Sequence, residues 1–303
     1  MKKALTVALL AILALPAAAQ DQTNISLKPT PPPISCLDFF KGVKQLTFTG
    51  IYMKMGEAED SGLDEAPTAW GFQAEAAQGA RDGMGAIVNG MFLKMNVPIF
   101  NEDNPAFMLG MNAMLVKDLV QGEKKDIAGE IVEKKPTVAL FGGLGWNYVG
   151  FTLADFSLPG FGSSGYDLTM NTSELSLPLG LAAELPLNPF ISLVPFGRFS
   201  WSKSSMDITM PYPQVIVTSY VPFEMDTLWT LDFSDSSYST TRMDYGADIN
   251  LRPFRNAPEW KISVGTVLSQ VEGMSKGNLL FIASVKREWG KYYSSTMFGP
   301  KLY

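Results

Sequence analysis

The chain has 303 residues, with no histidine, one cysteine, 24 Lys and Arg against 30 Asp and Glu, and 46% apolar residues. Without histidine there is no imidazole base, proton shuttle or metal ligand, and one cysteine makes neither an internal disulfide nor a cysteine-cluster zinc site. A net charge of −6 argues against nucleic acid as a partner, because phosphate backbones select clustered Lys and Arg.

Met1-Lys2-Lys3 is basic, and residues 4–15 are apolar except for Thr6. Pro16-Ala17-Ala18-Ala19 then puts small residues at the −3 and −1 positions before Gln20, the layout of a secretory signal peptide cut after Ala19. The apolar run falls short of the ~20 residues that cross a bilayer as a helix. Residues 1–19 are therefore assigned to a signal peptide. Cys36 lies too far beyond the small residues to be a lipoprotein cysteine. Residues 20–42, with Pro29, Pro31, Pro32 and Pro33, read as an extended lead-in, and residues 43–303 as one folded domain. No later stretch is apolar enough to be a membrane-spanning helix.

From residue 44 the dominant signal is a period of two. In 174–185, Leu175, Leu177, Leu179, Leu181, Ala183 and Leu185 share one face, and Ser176, Pro178, Gly180, Ala182 and Glu184 the other. In 242–252, Met243, Tyr245, Ala247, Ile249 and Leu251 oppose Arg242, Asp244, Gly246, Asp248, Asn250 and Arg252. Trp260, Ile262, Val264 and Leu268 repeat the pattern after a Pro-rich turn. Weaker versions at 44–55, 68–78, 86–97, 106–116, 138–152, 190–202 and 279–289 bring the total to ten candidate strands. Most are about twice the ~5–6 residues of an ordinary soluble strand and match the ~9–11 of a tilted transmembrane strand. Counted from a periplasmic start, the links 186–189 and 253–259 fall on the periplasmic side, and the longer links 56–67, 154–173 and 203–240 fall outside. Two segments strain the count. Charged residues 117–136 have helix-like spacing on the short-link side, where either a strand is missing or a periplasmic helix lies, and 211–233 has room for an extra hairpin that would make twelve strands. Trp70, Trp146, Tyr148, Trp201, Tyr245, Trp260, Trp289, Tyr292 and Tyr293 cluster near candidate strand ends, as interfacial girdles do.

The signal peptide, the long dyad strands 174–185 and 242–252, the asymmetric links and the terminal Tyr303 together resemble bacterial outer-membrane β-barrel proteins. The resemblance runs from residue 42 to the C-terminus and is to the class, not to a particular family. It implies an all-β, antiparallel transmembrane β-barrel of about 10 strands (8–12), with short periplasmic turns and longer extracellular loops. It also implies an outer-membrane, cell-envelope location, with membrane lipid, lipopolysaccharide and the barrel-assembly machinery as partners. Such chains usually end in a strand with an aromatic terminus. Because 298–303 alternates poorly and carries Pro300, residues 279–289 are expected to be the closing strand, followed by a tail.

In a membrane barrel the charged face of 242–252 must be the lumen, because a charge at the lipid midplane costs ~2–4 kcal/mol. The expected lumen residues are Arg242, Asp244, Asp248, Asn250 and Arg252, joined by Glu184, Arg198 and Lys261 from neighbouring strands. Small residues beside them (Ser176, Gly180, Ala182, Gly246, Ser263, Gly265) point to open space or a plug, and Arg placed at Gly180 is expected to be tolerated better than Arg at Leu179. Three functions follow: a porin-like passive conduit transporting small solutes; a closed barrel with a packed lumen and a structural or surface-contact role; and a soluble periplasmic β-barrel binding protein. Enzymatic activity is not expected, since phospholipase-type and protease-type barrels depend on a histidine base, and no cofactor or metal is expected either. Gly160-Phe161-Gly162-Ser163-Ser164-Gly165 matches the dinucleotide fingerprint in letters, but it follows Pro159 and precedes strand-like sequence, so it reads as an exposed glycine loop. Ser200-Trp201-Ser202-Lys203 matches S-x-x-K but ends a strand and lacks its companion elements. The acids Glu57, Glu59, Asp60, Asp64 and Glu65 lack calcium-loop spacing and read as a solvated loop.

Overall fold

The computed structural model describes residues 44–56, 66–79, 84–96, 106–120, 124–127, 130–133, 136–156, 166–188, 190–218, 221–232, 236–254, 257, 259–272, 277–289, 295–296 and 299–300. Ten strands form a closed wall: β1 Lys44–Lys54, β2 Thr68–Gly79, β3 Met84–Asn96, β4 Ala106–Val120, β5 Thr137–Phe156, β6 Tyr166–Asn188, β7 Ile191–Thr218, β8 Ser236–Leu251, β9 Trp260–Val271 and β10 Asn278–Trp289. Each pairs antiparallel with the next. β10 pairs with β1 from Lys44↔Trp289 to Lys54↔Leu279, which closes the ring. The all-β transmembrane barrel expected from the dyad pattern is the observed architecture, and its closing strand is the one expected.

Strand register fixes the size of the ring. Traced from Lys44 through Gln78, Ala86, Leu115, Gly142, Leu179 and Phe199 to Met243, and from Tyr245 through Leu268 and Leu279 to Lys54, the register returns to β1 two residues beyond Lys54. That is a stagger of about 12 residues, which inclines ten strands by about 40° and sets a backbone radius of about 10 Å.

The outward face is the apolar one. Phe48, Phe72, Leu115, Leu144, Leu175, Leu177, Leu179 and Val264 are exposed, while the residues alternating with them are buried inside. A soluble barrel would invert this arrangement, so the third function named above does not suit the fold. On β1 the outward charges are Lys44 and Lys54, with Leu46, Phe48, Gly50 and Tyr52 between them. Ten residue steps at that inclination span about 25 Å, the height of a lipid-facing band. On β6 the outward row changes from Leu179, Leu177 and Leu175 to Ser173, Asn171 and Thr169 at the end away from the chain termini, here termed the distal end. Above that level Tyr148 donates to Asn171 at 2.8 Å, Trp146 donates to Ser173 at 3.0 Å, and the hydroxyls of Thr152 and Thr169 lie 3.3 Å apart. Polar pairs of this kind mark the exit from lipid. Trp70, Trp146 and Trp201 are exposed near this rim, and Arg287 lies over the Trp260 ring at 5.2 Å near the proximal rim. Tyr245 sits mid-strand rather than at a rim. The Trp289 side chain, Tyr292 and Tyr293 lie outside the described residues.

Three expectations about the links need correction. Residues 117–136 contain no helix among the described residues: β4 runs to Val120, and Lys124–Ile127 pairs with Glu130–Glu133 as a small hairpin. Its charges and the spaced Leu119, Val120, Ile127 and Ile131 mimicked a helical period. The expected loops 154–173 and 203–240 are largely strand, because β5, β6, β7 and β8 continue beyond the lipid band. The extra hairpin in 211–233 exists, but Val221–Asp232 pairs only with Thr209–Thr218 of β7, so it adds no strand to the ring. The signal peptide and the lead-in 20–42 lie outside the described residues, as do 160–165 and the acidic link 57–65.

Candidate functional site

The lumen is lined by polar and apolar side chains in proportions that change around the ring. On β1 to β4 the inward row mixes apolar Ile51, Met53, Met91, Leu93, Met108 and Met114 with Thr47, Thr49, Gln73, Glu75, Asn89 and Asn112, all buried, and Asn89 Nδ2 donates to Glu75 Oε2 at 3.2 Å. On β6 to β10 the inward rows are mostly polar or charged. All eight residues singled out from the sequence (Glu184, Arg198, Arg242, Asp244, Asp248, Asn250, Arg252 and Lys261) are buried on the inward side of their strands, between 0% and 8% exposed.

Ion pairs divide them into clusters along the axis. Around mid-height, Asp244 and Arg198 are register partners on β8 and β7, and Arg198 Nη2 lies 2.7 Å and Nε 2.8 Å from Asp244 Oδ2. Nearer the distal end, Arg242 Nη1 is 3.2 Å from Glu174 Oε1, which also accepts from Asn147 Nδ2 at 3.0 Å, while Ser204 Oγ donates to Glu174 Oε2 at 3.4 Å. At the proximal end, Lys261 Nζ lies 2.7 Å from Glu288 and 3.6 Å from Glu184, and Ser192 Oγ donates to Glu184 at 2.6 Å. Lys286 Nζ donates to Asn250 Oδ1 at 2.9 Å. Buried cations thus sit against buried carboxylates, the arrangement that makes charge tolerable away from bulk water.

Small residues beside these charges are covered by neighbours instead of bordering water. The Phe141 ring lies where a Cβ on Gly180 would project, with Gly197 O also close by. The Asp248 carboxylate lies over Gly265 in the same way. Gly180 therefore cannot accept an Arg without displacing Phe141, which corrects the expected tolerance at that position. A small residue on a barrel wall reads as empty space in a sequence, yet here it seats a larger side chain from the next strand.

Glu174, Lys286 and Glu288 were missed. Parity would have found them: Glu174 is in phase with Ser176 and Glu184, and Lys286 and Glu288 are in phase with Ser284. Asn147 and Ser204 carried no chemical signal of their own. The S-x-x-K match is split by the same alternation, with Ser200 buried inside and Lys203 exposed outside.

No protein-family model and no curated protein matches the chain. Among solved structures, it is similar to the outer membrane protease OmpT of Escherichia coli, with TM-score 0.50 and 10% identity over 84% of this chain and 99% of that one. The translocator domain of the autotransporter NalP from Neisseria meningitidis gives TM-score 0.43 and 9% identity over 82% and 88%. Ail, the attachment invasion locus protein of Yersinia pestis, gives 0.33 and 10% over 82% and 100%. The likeness to OmpT is one of fold.

Proposed function

We propose that the chain is an integral outer-membrane barrel whose lumen is closed by its own side chains, and that it acts through its outer surfaces, in envelope structure or surface contact. The observation that carries this reading is the burial of the charged lumen residues. Arg198, Arg242, Glu174 and Asp244 are 0–2% exposed although they lie well inside the ring. A water-filled channel would leave such groups open to solvent, as large porins do. Ring size agrees with this: a backbone radius of about 10 Å is what inward side chains fill, whereas aqueous channels accompany 16–18 strands. The reading is also non-catalytic, since a chain without histidine has no imidazole base.

Planar-bilayer recording of the refolded wild-type chain tests it, with heat-modifiable migration on unboiled gels as the folding control. Folded, inserted protein that passes no current is the expected result. Reproducible unitary conductance steps would overturn the closed reading and restore the porin-like conduit inferred from the 242–252 strand.

A further inference from the structure

Charge is divided unequally between the two ends of the barrel. The links that join wall strands at the distal end (55–67, 97–105, 157–165, 219–235 and 272–277) hold twelve Asp and Glu against Lys276 alone. The proximal links (80–83, 121–136, 189–190 and 252–259) hold six acids and seven Lys and Arg. The negative excess of the chain therefore lies at the distal end.

Out of that acidic end rises a ribbon of two strands. β7 pairs with β6 only as far as Thr209 and with β8 only as far as Met206. Beyond those points, among the described residues, Met210–Thr218 is paired by Val221–Asp232 alone. Ser205 pairs with Ser173, where the outer face of β6 leaves lipid. From there to Thr218 the chain climbs about 30 Å at the inclination of the wall.

The two faces of the ribbon are unlike. Ser200, Ser202 and Ser204 are buried on the inward side of β7, and alternation carries that phase to Met210, Tyr212, Gln214 and Ile216. Register sets Leu231 opposite Met210, Trp229 opposite Tyr212 and Phe223 opposite Ile216, on the same face. The other face carries the acids, with Asp232 opposite Thr209 and Glu224 opposite Val215. Pro211, Pro213 and Pro222, with the register shift between Glu224 and Leu228, make both edges poor templates for strand addition. The apolar face is what remains. A two-stranded ribbon is marginal by itself in water, and an apolar face of this kind calls for a cover.

We propose that the apolar face of this ribbon docks a cationic polypeptide segment bearing apolar side chains, with its basic residues set against the acids of the distal end. The proposal rests on the surface-contact reading above, with the distal end facing outward, and names the chemistry of the partner. Charge and size choose the occupant. A second copy would bring an equally acidic surface and be repelled, as would an anionic lipid headgroup. The face measures about 26 Å by 10 Å, well under half of the ~800 Å² that each partner gives a standard interface. A short segment covers it, and the fixed negative charge around it draws a cationic one.

Biolayer interferometry tests this with the refolded chain in zwitterionic nanodiscs, empty nanodiscs serving as reference. The probes are a 16-residue amphipathic peptide of Lys and Leu, the same peptide with Glu for Lys, and the same peptide with Ser for Leu. Wild type is expected to bind the Lys-Leu peptide about 10-fold or more above either of the others, and to lose about 10-fold between 50 and 500 mM salt. Phe223→Thr with Trp229→Thr should lose about 30-fold, while Val215→Thr with Val217→Thr, on the opposite face, should change nothing. Equal binding of the Lys and Glu peptides, or equal binding by wild type and the Phe223/Trp229 variant, would overturn the site. Dimerisation of the free chain that this same variant abolishes would give the face to a second copy and overturn it too. Conductance steps from a chain that still binds the peptide would sink the closed lumen and leave the ribbon site standing. Failure to form a heat-modifiable folded species would bring down the barrel reading, and the site with it.

Discussion

Depth in the membrane is written along a single strand, and Arg substitutions on β6 read it out. Leu179 is 56% exposed on the outer face and pairs with Gly142 and Phe199, near the middle of the apolar band. Leu175, 58% exposed, lies four residues toward the distal rim and pairs with Trp146 and Lys203. At an inclination of about 40° those four residues raise it by about 10 Å, to the level of the interfacial aromatics. Arg at the midplane of a membrane barrel costs about 2–4 kcal/mol, and Arg near the interface about 0–1 kcal/mol. Leu179→Arg should therefore destabilise the folded barrel by about 2–4 kcal/mol and Leu175→Arg by at most about 1 kcal/mol. The assay is reversible guanidinium unfolding in lipid vesicles, followed by tryptophan fluorescence. Equal costs at the two sites would refute the depth assignment. Two costs within about 0.5 kcal/mol of zero would mean that this face meets water, as exposed positions of a soluble protein do.

Other substitutions probe the lumen and the N-terminus. Arg198→Ala strands Asp244 in the interior and should cost about 3–5 kcal/mol, whereas Arg198→Met combined with Asp244→Leu should recover most of that loss; a double-mutant cycle by guanidinium unfolding measures the difference. Gly180→Ala should cost about 1–3 kcal/mol by pressing on Phe141, and Phe141→Leu in the same chain should relieve part of it, read as a partial return of the unfolding midpoint. The exported protein is expected to begin at Gln20, which intact mass or N-terminal sequencing checks; a retained residue 1–19 segment would refute the cleavage assignment.

The ten strands of the wall were legible because β6 and β8 alternate so cleanly. Leu177 against Pro178, or Asp248 against Ile249, leaves no doubt about facing once lipid is excluded as a home for charge. The weaker strands were legible by length and spacing, but not by content. On β1, Ile51 and Met53 point inward while Phe48 and Tyr52 point outward, so both faces are apolar and the period of two is muted. That is why the inward methionines of β1 to β4 were not anticipated. The extended distal strands were misread as loops for a related reason. Above the lipid band, Ser, Asp and Thr on both faces carry the composition of a loop, and only cross-strand pairing, as in Thr152 with Thr169, makes them sheet. Small inward residues misled in the opposite direction. Gly180 and Gly265 give no clue in a sequence that Phe141 and Asp248 occupy the space above them.

The charged rows of the lumen also bear on which barrel forms. A charged row such as Arg242, Asp244 and Asp248 on one strand would ordinarily be solvated by a channel. Here it shares a ring of about 10 Å radius with inward methionines and with the buried polar groups Gln73, Glu75, Asn89 and Asn112 of β2 to β4. The pairs these charges make are local in register: Arg198 with Asp244 on adjacent strands, Arg242 with Glu174 two strands away. Such pairs contribute little net stability relative to apolar replacements but heavily penalise any register that separates them. A one-residue slip between β7 and β8 would turn Arg198 or Asp244 toward lipid. The buried pairs thus act on which barrel forms more than on how stable it is.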